Sequence, residues 1–343
     1  MRVLAWPIDP GNPYTAALYS QMEQDVLIEA FHPGRLLHRY DVWHLHWPES
    51  LLNIRNAPLA AFKLSSFLAI IDLIRLRGGK IIWTVHNLGA HDALHPTLEG
   101  MFWRHFISRV DGVISLSKRG LILAGQKFPR LRVLPATVIP HGHYRDQYPP
   151  CRVDARAALG IPEEARVFLF FGEVREYKNV DALIRAFRNL KLSNVVLYVV
   201  GRPWSASLTE TIRREAAQDR RVHLELEFIQ RGQVAKYLDA SNLVVLPYRQ
   251  ILNSGAALLA LSLNRPVLVP DQGSMGDLKE DFGGDWVRTF SRDLDSGELE
   301  QALDWASLPK PSVCPIPDKY QWQNIRSETA RFYREVIDTQ PAL

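Results

Sequence analysis

Short apolar runs of strand length recur along this chain with helix-compatible sequence between them, and that alternation constrains the fold more than any other feature. RVLAWPI, VWHLHW, KIIWTVHNL, GVISLS and TVIPHG form one series; VFLFFGEV, VVLYVVG, VHLELEF, LVVLPY and PVLVP form a second. Runs this continuously apolar suit strands buried on both faces, as in a parallel sheet covered by crossover helices. Patterns such as NVDALIRAFRNL and LTETIRREAAQ supply those helices. Between the two series, PHGHYRDQYPPCRVDARAALGIP breaks the rhythm with Pro, Gly and polar residues and reads as a domain connection. A chain of 343 residues is also long for one core, since single cores stop growing at roughly 250 to 300 residues. The expected architecture is α/β, with doubly wound, Rossmann-like domains over residues 1–148 and 149–319 and a terminal segment, 320–343, whose helix returns to the first domain. In open sheets of this kind ligands bind beyond the carboxyl ends of the strands, so functional side chains are expected on the loops after strands, facing a cleft between the domains.

Composition excludes several classes. Cys151 and Cys314 are too few for a disulfide framework and too far apart in sequence for a metal knuckle. The opening MRVLAWPI is a strand pattern without the charged start and cleavage site of a signal peptide, which gives an expected cytoplasmic location. Residues 55–133 hold twelve Lys or Arg against four acids, so this segment is +8 and the remainder −4. The segment lacks the interleaved aromatic and basic residues of nucleic-acid modules, and nucleic acid is not an expected partner. Within it, PLAAFKLSSFLAIIDLIRLRGGK is apolar but interrupted by Lys63 and Asp72. It reads as a buried amphipathic helix rather than a bilayer span, while its basic surroundings suit an anionic membrane surface.

Two loops carry the chemistry of an anion. In YRQILNSGAALLALSLNRPVLVP, the small residues Asn253, Ser254 and Gly255 open an apolar helix whose first N–H groups have no intrahelical partner. Such a helix mouth favours an anion, although Ser254 or Asn253 acting as a simple cap accounts for the pattern equally well. In FFGEVREYKNV a strand ends at Gly172, and Arg175 and Lys178 follow before the next helix. A planar guanidinium and a point-charge ammonium so placed can clamp a diphosphate, which a merely solvated charged turn would not do.

These residues carry a resemblance. DVWHLHWPE, TVHNLGAHD, HGHYRD, FGEVREYK and LPYRQILNSGAALLALSLNRPVL resemble the nucleotide-sugar glycosyltransferases of the GT-B fold, and more narrowly the β-mannosyltransferases of xanthan-type exopolysaccharide assembly. The resemblance extends over nearly the whole chain. It implies a nucleotide-sugar donor, GDP-mannose, and a lipid-diphosphate oligosaccharide as acceptor, handled by a peripheral enzyme at the inner face of the cytoplasmic membrane without a cofactor or bound metal. Gly172, Arg175, Lys178, Tyr248, Asn253, Ser254 and Gly255 become expected donor contacts, and His86 an expected hydrogen-bond partner of the transferred sugar. Many retaining GT-B enzymes carry two glutamates around the donor helix; here Ile251 and Leu259 stand at those places, which fits an inverting mechanism.

Inversion needs a general base on the acceptor hydroxyl. Asp92, beside His91 in HNLGAHD, is the first expected base, with Glu49 in HLHWPE second and Asp9 and Asp146 behind them. Expected acceptor contacts are Gly11, Asn12 and Tyr14 in the first loop, Tyr14 by stacking, and Tyr144 and Arg145 at the connection. His44 and His46 alternate on one strand and share a face, yet no third metal ligand accompanies them. Asp293-Leu294-Asp295 spells a metal-binding acid pair but precedes a late helix and reads as a cap. A sugar-nucleotide-binding protein without turnover is the competing class.

Overall fold

In the computed structural model, which describes residues 1–9, 11–89 and 94–339, the chain forms two compact units, Met1–Gly142 with the stretch from Asp318 onward, and His143–Pro317. The division falls a few residues N-terminal of the expected 148/149 boundary, which assigns Tyr144 and Arg145 to the second unit.

The first unit is built on β1 (Arg2–Trp6), β2 (Leu27–Ala30), β3 (Val42–His46), β4 (Lys80–Val85), β5 (Gly112–Ser115) and β6 (Ala136–Val138). Their order is β2-β1-β3-β4-β5-β6, parallel throughout. Helices α1 (Pro13–Tyr19), α2 (Ala57–Leu76), α3 (Pro96–Ile107) and α4 (Lys118–Lys127) follow β1, β3, β4 and β5. Strand order reverses between β1 and β3, and that switch point is where an open sheet leaves room for a ligand. Asn12 and Asn56 cap α1 and α2 through their side chains, each with Pro in the first turn, which is why both helices begin where they do. Helix α2 buries one stripe, Ala60, Leu64, Phe67, Ile71 and Ile74, at helical spacing. Its other face is not buried as expected: Leu59, Phe62 and Leu76 are 44%, 70% and 86% exposed. By length and composition alone the helix is apolar enough to cross a bilayer.

The second unit contains β7 (Arg166–Phe171), β8 (Val195–Val200), β9 (Val222–Glu225), β10 (Leu243–Val245), β11 (Val267–Pro270) and β12 (Val287–Phe290), in the parallel order β12-β11-β10-β7-β8-β9. The short α5 (Ala155–Ala158) precedes the sheet; α6 (Val180–Arg188), α7 (Ala206–Ala216), α8 (Arg231–Ala240), α9 (Gly255–Ser262) and α10 (Met275–Phe282) connect its strands, and α11 (Ser296–Ala306) follows it. Here the switch point lies between β7 and β10, so the loops starting at Gly172 and running through Tyr248–Gly255 flank it. Asp295 caps α11 by accepting from Glu298 N at 2.8 Å.

The last helix, α12 (Trp322–Asp338), belongs to the first unit. Ile325, Phe332, Tyr333 and Val336 share a core with Val3, Leu18, Val42 and Ile114. Arg334 pairs with Glu23 and Asp25, and Arg326 Nε donates to Ala17 O at 3.0 Å. Gly112 admits this helix, because a Cβ there would lie 2.6 Å from Val336 Cγ2.

All ten apolar runs hold strands, and β2 and β12 are additional. Both are sheet edges, LIEA and VRTF, and each run is broken by polar residues, Glu29 in the first and Arg288 and Thr289 in the second.

Candidate functional site

In the first unit the residues that follow β1, β3 and β4 meet in an aromatic and histidine cluster. Trp47 directly follows β3 in the left-handed conformation, φ 42°, an arrangement a bulky residue adopts only when its surroundings hold it there. Its ring stacks on His86, with centroids 4.0 Å apart. Beyond Trp47 the chain enters a 3-10 turn, Pro48–Asn53, that carries Glu49 inward until it is 2% exposed. Glu49 Oε1 accepts from Asn87 Nδ2 at 2.8 Å, and Oε2 has no hydrogen-bond partner among the described residues. Burial pushes the Glu49 carboxyl up to about 7, against the opposing hydrogen bond from Asn87. A carboxyl with that affinity for a proton is matched to general-base work near neutrality. His91 and Asp92 lie outside the described residues.

His44 and His46 do share a face, but as members of a hydrogen-bond chain. Tyr19 Oη lies 2.8 Å from His44 Nδ1 and 2.6 Å from His46 Nε2, and His46 Nδ1 lies 3.0 Å from His86 Nε2. Tyr333 Oη and Thr84 Oγ1 each lie 2.7 Å from His44, at Nδ1 and Nε2 respectively. Burial lowers the proton affinity of all three imidazoles, that of His44 to about 3, so they are neutral at physiological pH. Among the described residues no group of three His, Cys, Asp or Glu is arranged to hold a metal ion.

The first loop is largely self-contained. Asp9 Oδ1 accepts from Gly11 N at 2.7 Å, and Asn12 caps α1 through Tyr14 N at 3.0 Å. Tyr14, expected to stack on an acceptor sugar, is 4% exposed, and its ring packs on His46, His86, His141, Trp47 and Trp322. Tyr144 and Arg145, expected as acceptor contacts, are fastened within the second unit. Tyr144 N donates to Ser262 Oγ at 2.9 Å, and Arg145 donates to Ser262 O, Asn264 Oδ1 and Cys314 O.

In the second unit Gly172 ends β7 with φ +120°, a conformation that favours glycine, and its vacant Cβ position lies 3.6 Å from Lys178 Nζ. Gly201, after β8, fits more tightly still, since a Cβ there would stand 2.1 Å from Gly172 O. Arg175 Nε donates to Glu173 Oε2 at 2.8 Å, and the guanidinium lies 3.8 Å from the centroid of the Trp204 ring. Lys178 is brought down to about 8 by burial, partly offset by the Glu173 carboxylate, while the Arg175 cation adds to the depression. Its ammonium lies over the Tyr248 ring at 5.5 Å. Ser254 caps α9, accepting from Ala257 N at 3.2 Å, and its side chain hydrogen-bonds Tyr248. The cap is thus present at the expected helix mouth, with both cations on the loop across the switch point. Sequence reasoning missed Glu173, Trp204 and Gly201; for Gly201 the signal was available, a glycine closing a fully apolar strand in VVLYVVG.

Gly201→Ala is expected to destabilise the protein by about 2 to 4 kcal/mol, because the added methyl group meets a backbone oxygen that cannot yield without moving β7. Chemical denaturation measures the loss, and an unchanged midpoint would mean that the two glycine loops do not abut.

A family model described as glycosyl transferases group 1 matches residues 165–301, from the end of the connection to within α11. A GDP-mannose:glycolipid 4-beta-D-mannosyltransferase of Xanthomonas campestris pv. campestris is 31% identical over 327 residues, 95% of this chain and 89% of the relative. A lipopolysaccharide 1,2-N-acetylglucosaminetransferase of Salmonella typhimurium is 23% identical over 57% of this chain and 55% of its own. Among solved structures, HepE of Anabaena in complex with UDP and glucose superposes with a TM-score of 0.70 at 16% identity, covering 98% of this chain and all 100% of that one. Sucrose-phosphate synthase of Thermosynechococcus elongatus gives 0.64 at 17% identity, covering 98% and 88%. Identity maintained over nearly the full length of the Xanthomonas enzyme, on two parallel sheets that follow the GT-B pattern, places the chain in a known family: it belongs to the group 1 glycosyltransferases of the GT-B fold.

Proposed function

We propose that this glycosyltransferase moves mannose from GDP-mannose onto a polyprenyl-diphosphate-linked oligosaccharide in exopolysaccharide assembly, with inversion at the anomeric carbon and without a metal. The Xanthomonas relative, a GDP-mannose:glycolipid 4-beta-D-mannosyltransferase, supports the donor and the glycolipid class of the acceptor. One observation carries the chemistry: Arg175 and Lys178 stand on the loop after β7, beside the second unit's switch point, with Ile251 and Leu259 where a retaining enzyme would carry carboxylates. In this reading the acceptor oxygen attacks the anomeric carbon opposite the diphosphate, its proton passes to a carboxylate of the first unit, and the bond from sugar to diphosphate breaks. Arg175, Lys178 and the N-terminus of α9 meet the charge of the departing diphosphate, which is work that a divalent cation performs elsewhere. Glu49 is the base that the geometry supports, as a buried carboxyl with one oxygen unpartnered among the described residues; Asp92 is the alternative that matched variants separate. Transfer of isotope from labelled GDP-mannose to a lipid extract tests the reading, and donor binding without transfer would instead identify a silent sugar-nucleotide-binding protein.

The membrane partner proposed is the anionic inner face of the cytoplasmic membrane. Support comes from the outward face of α2, where Phe62 is 70% exposed, together with Met101 of α3 at 65% and the exposed cations Arg55, Lys63 and Arg104. Binding to anionic vesicles is expected to fall as salt rises, since surface charge is screened within about 8 Å at physiological ionic strength. Phe62→Asp should weaken it about tenfold or more by removing one inserted side chain. Cosedimentation reads both effects, and equal binding to neutral and anionic vesicles would remove the electrostatic part.

A further inference from the structure

Asn87 stands on the loop after β4, and Glu49 on the 3-10 turn after β3. The two strands are neighbours, so the loops leave the sheet side by side at the carboxyl ends. They are tied twice. Asn87 Nδ2 donates to Glu49 Oε1 at 2.8 Å, and His95 Nε2 lies 2.7 Å from Ile54 O, just past the turn. The second tie holds the two loops together without Asn87, whose amide holds one particular oxygen of Glu49.

The two oxygens of that carboxyl are therefore not equivalent. A carboxylate only accepts hydrogen bonds and an amide nitrogen only donates them, so the contact at Oε1 suits the charged form. A proton on Oε1 would be set against the amide N–H. Oε2 is buried on a residue that is 2% exposed, and it has no partner among the described residues. A buried oxygen without a donor is costly, and a proton of its own or a donor on a bound molecule satisfies it.

We propose that Asn87 is a positioning residue that pins Glu49 by Oε1, so that Oε2 is the oxygen that takes the proton of the acceptor hydroxyl. The pinning stands on the contact itself; the use of Oε2 rests on the reading of Glu49 as the base. In the transfer step the hydroxyl proton passes to Oε2, the electron pair left on the acceptor oxygen forms the bond to the anomeric carbon, and the sugar–diphosphate bond breaks with its pair leaving on the diphosphate. The Asn87 N–H strengthens as the carboxylate becomes charged. Burial raises the proton affinity of Glu49, the like charge of Glu99 on α3 adds to it, and the Asn87 amide is the largest opposing effect among the described residues.

Two readouts separate the tether from the base. One is the Glu49 carboxyl itself, titrated by carbon-13 NMR in the full chain labelled at glutamate Cδ, with its signal assigned by loss in Glu49→Gln. The other is the pH profile of kcat/KM for transfer. In Asn87→Ala the NMR midpoint should rise by about one pH unit or more, the worth of a hydrogen bond to a charged oxygen. From ionisation alone, kcat/KM at pH 7 should then fall about fivefold and recover as pH rises. Asn87→Asp keeps the size of the side chain and replaces the donor with a second carboxyl. The pair should share one proton, with its last ionisation above the midpoint of Asn87→Ala. Should the alanine variant not fold, the aspartate variant carries the test alone. A Glu49 midpoint that stays in place in a variant of unchanged fold would overturn the tether, even where kcat/KM falls uniformly at every pH. A midpoint that rises while the pH profile of transfer stays in place would overturn the use of Oε2 as the base and leave the tether standing.

Discussion

Glu49→Gln is expected to lower transfer by about 100-fold or more while making the protein more stable at alkaline pH, two effects that a structural acid would not combine. The amide keeps the size of the carboxyl and cannot take a proton. Burial raises the Glu49 carboxyl from 4.5 to about 7, so the stability carried by its neutral form is fully present below about pH 4.5 and is lost as pH rises through about 7. That loss is about 3 kcal/mol at most, and Gln does not suffer it. Wild type and variant should therefore unfold alike at pH 4.5, with the variant the more stable at pH 8. In the wild type kcat/KM should climb with pH through about 7, where the base ionises. Asp92→Asn is the matched comparison. If it abolishes transfer while Glu49→Gln remains active, the base is Asp92; if both remain active, neither is.

On the proposed donor site, Arg175→Ala and Lys178→Ala should each cost about 2 to 4 kcal/mol of transition-state stabilisation, because each would remove positive charge from the leaving diphosphate. The two cations are prepared differently. Arg175 is held by its hydrogen bond to Glu173 and by its place over the Trp204 ring, so its cost should fall mainly on kcat through lost orientation. Lys178 is desolvated to about 8, so part of the ammonium is lost near that pH and donor affinity should weaken above it. A donor KM that rises above about pH 8 in the wild type, and is flat in Lys178→Met, is the expected pattern. Wild-type kinetics in both alanine variants would remove the phosphate assignment.

The parallel sheets were legible because strands buried on both faces must be apolar along their whole length, a pattern that local sequence displays. Edge strands escape that requirement, and β2 and β12 went unread. Helix caps and the helix mouth at Ser254 were legible for the same local reason. What sequence could not show were partners brought together by the fold. Alternation placed His44 and His46 on one face, but Tyr333 lies 289 residues from His44, and only the return of α12 makes it a hydrogen-bond partner. Tyr14 looked like an exposed loop aromatic because the rings that enclose it come from β3, the residue after β4, His141 and α12. Nor does any residue pattern announce that Trp47 takes a left-handed conformation, the bend that carries Glu49 into the interior.

The central claim is inverting transfer of mannose to a lipid-linked glycan, and the anomeric configuration of the product tests it most directly. The purified protein, GDP-mannose in its α configuration and a lipid-linked acceptor are incubated together, and the linkage formed is read by NMR from the anomeric one-bond carbon–hydrogen coupling. The account predicts a single new β-mannosyl linkage on the acceptor; an α linkage would contradict it.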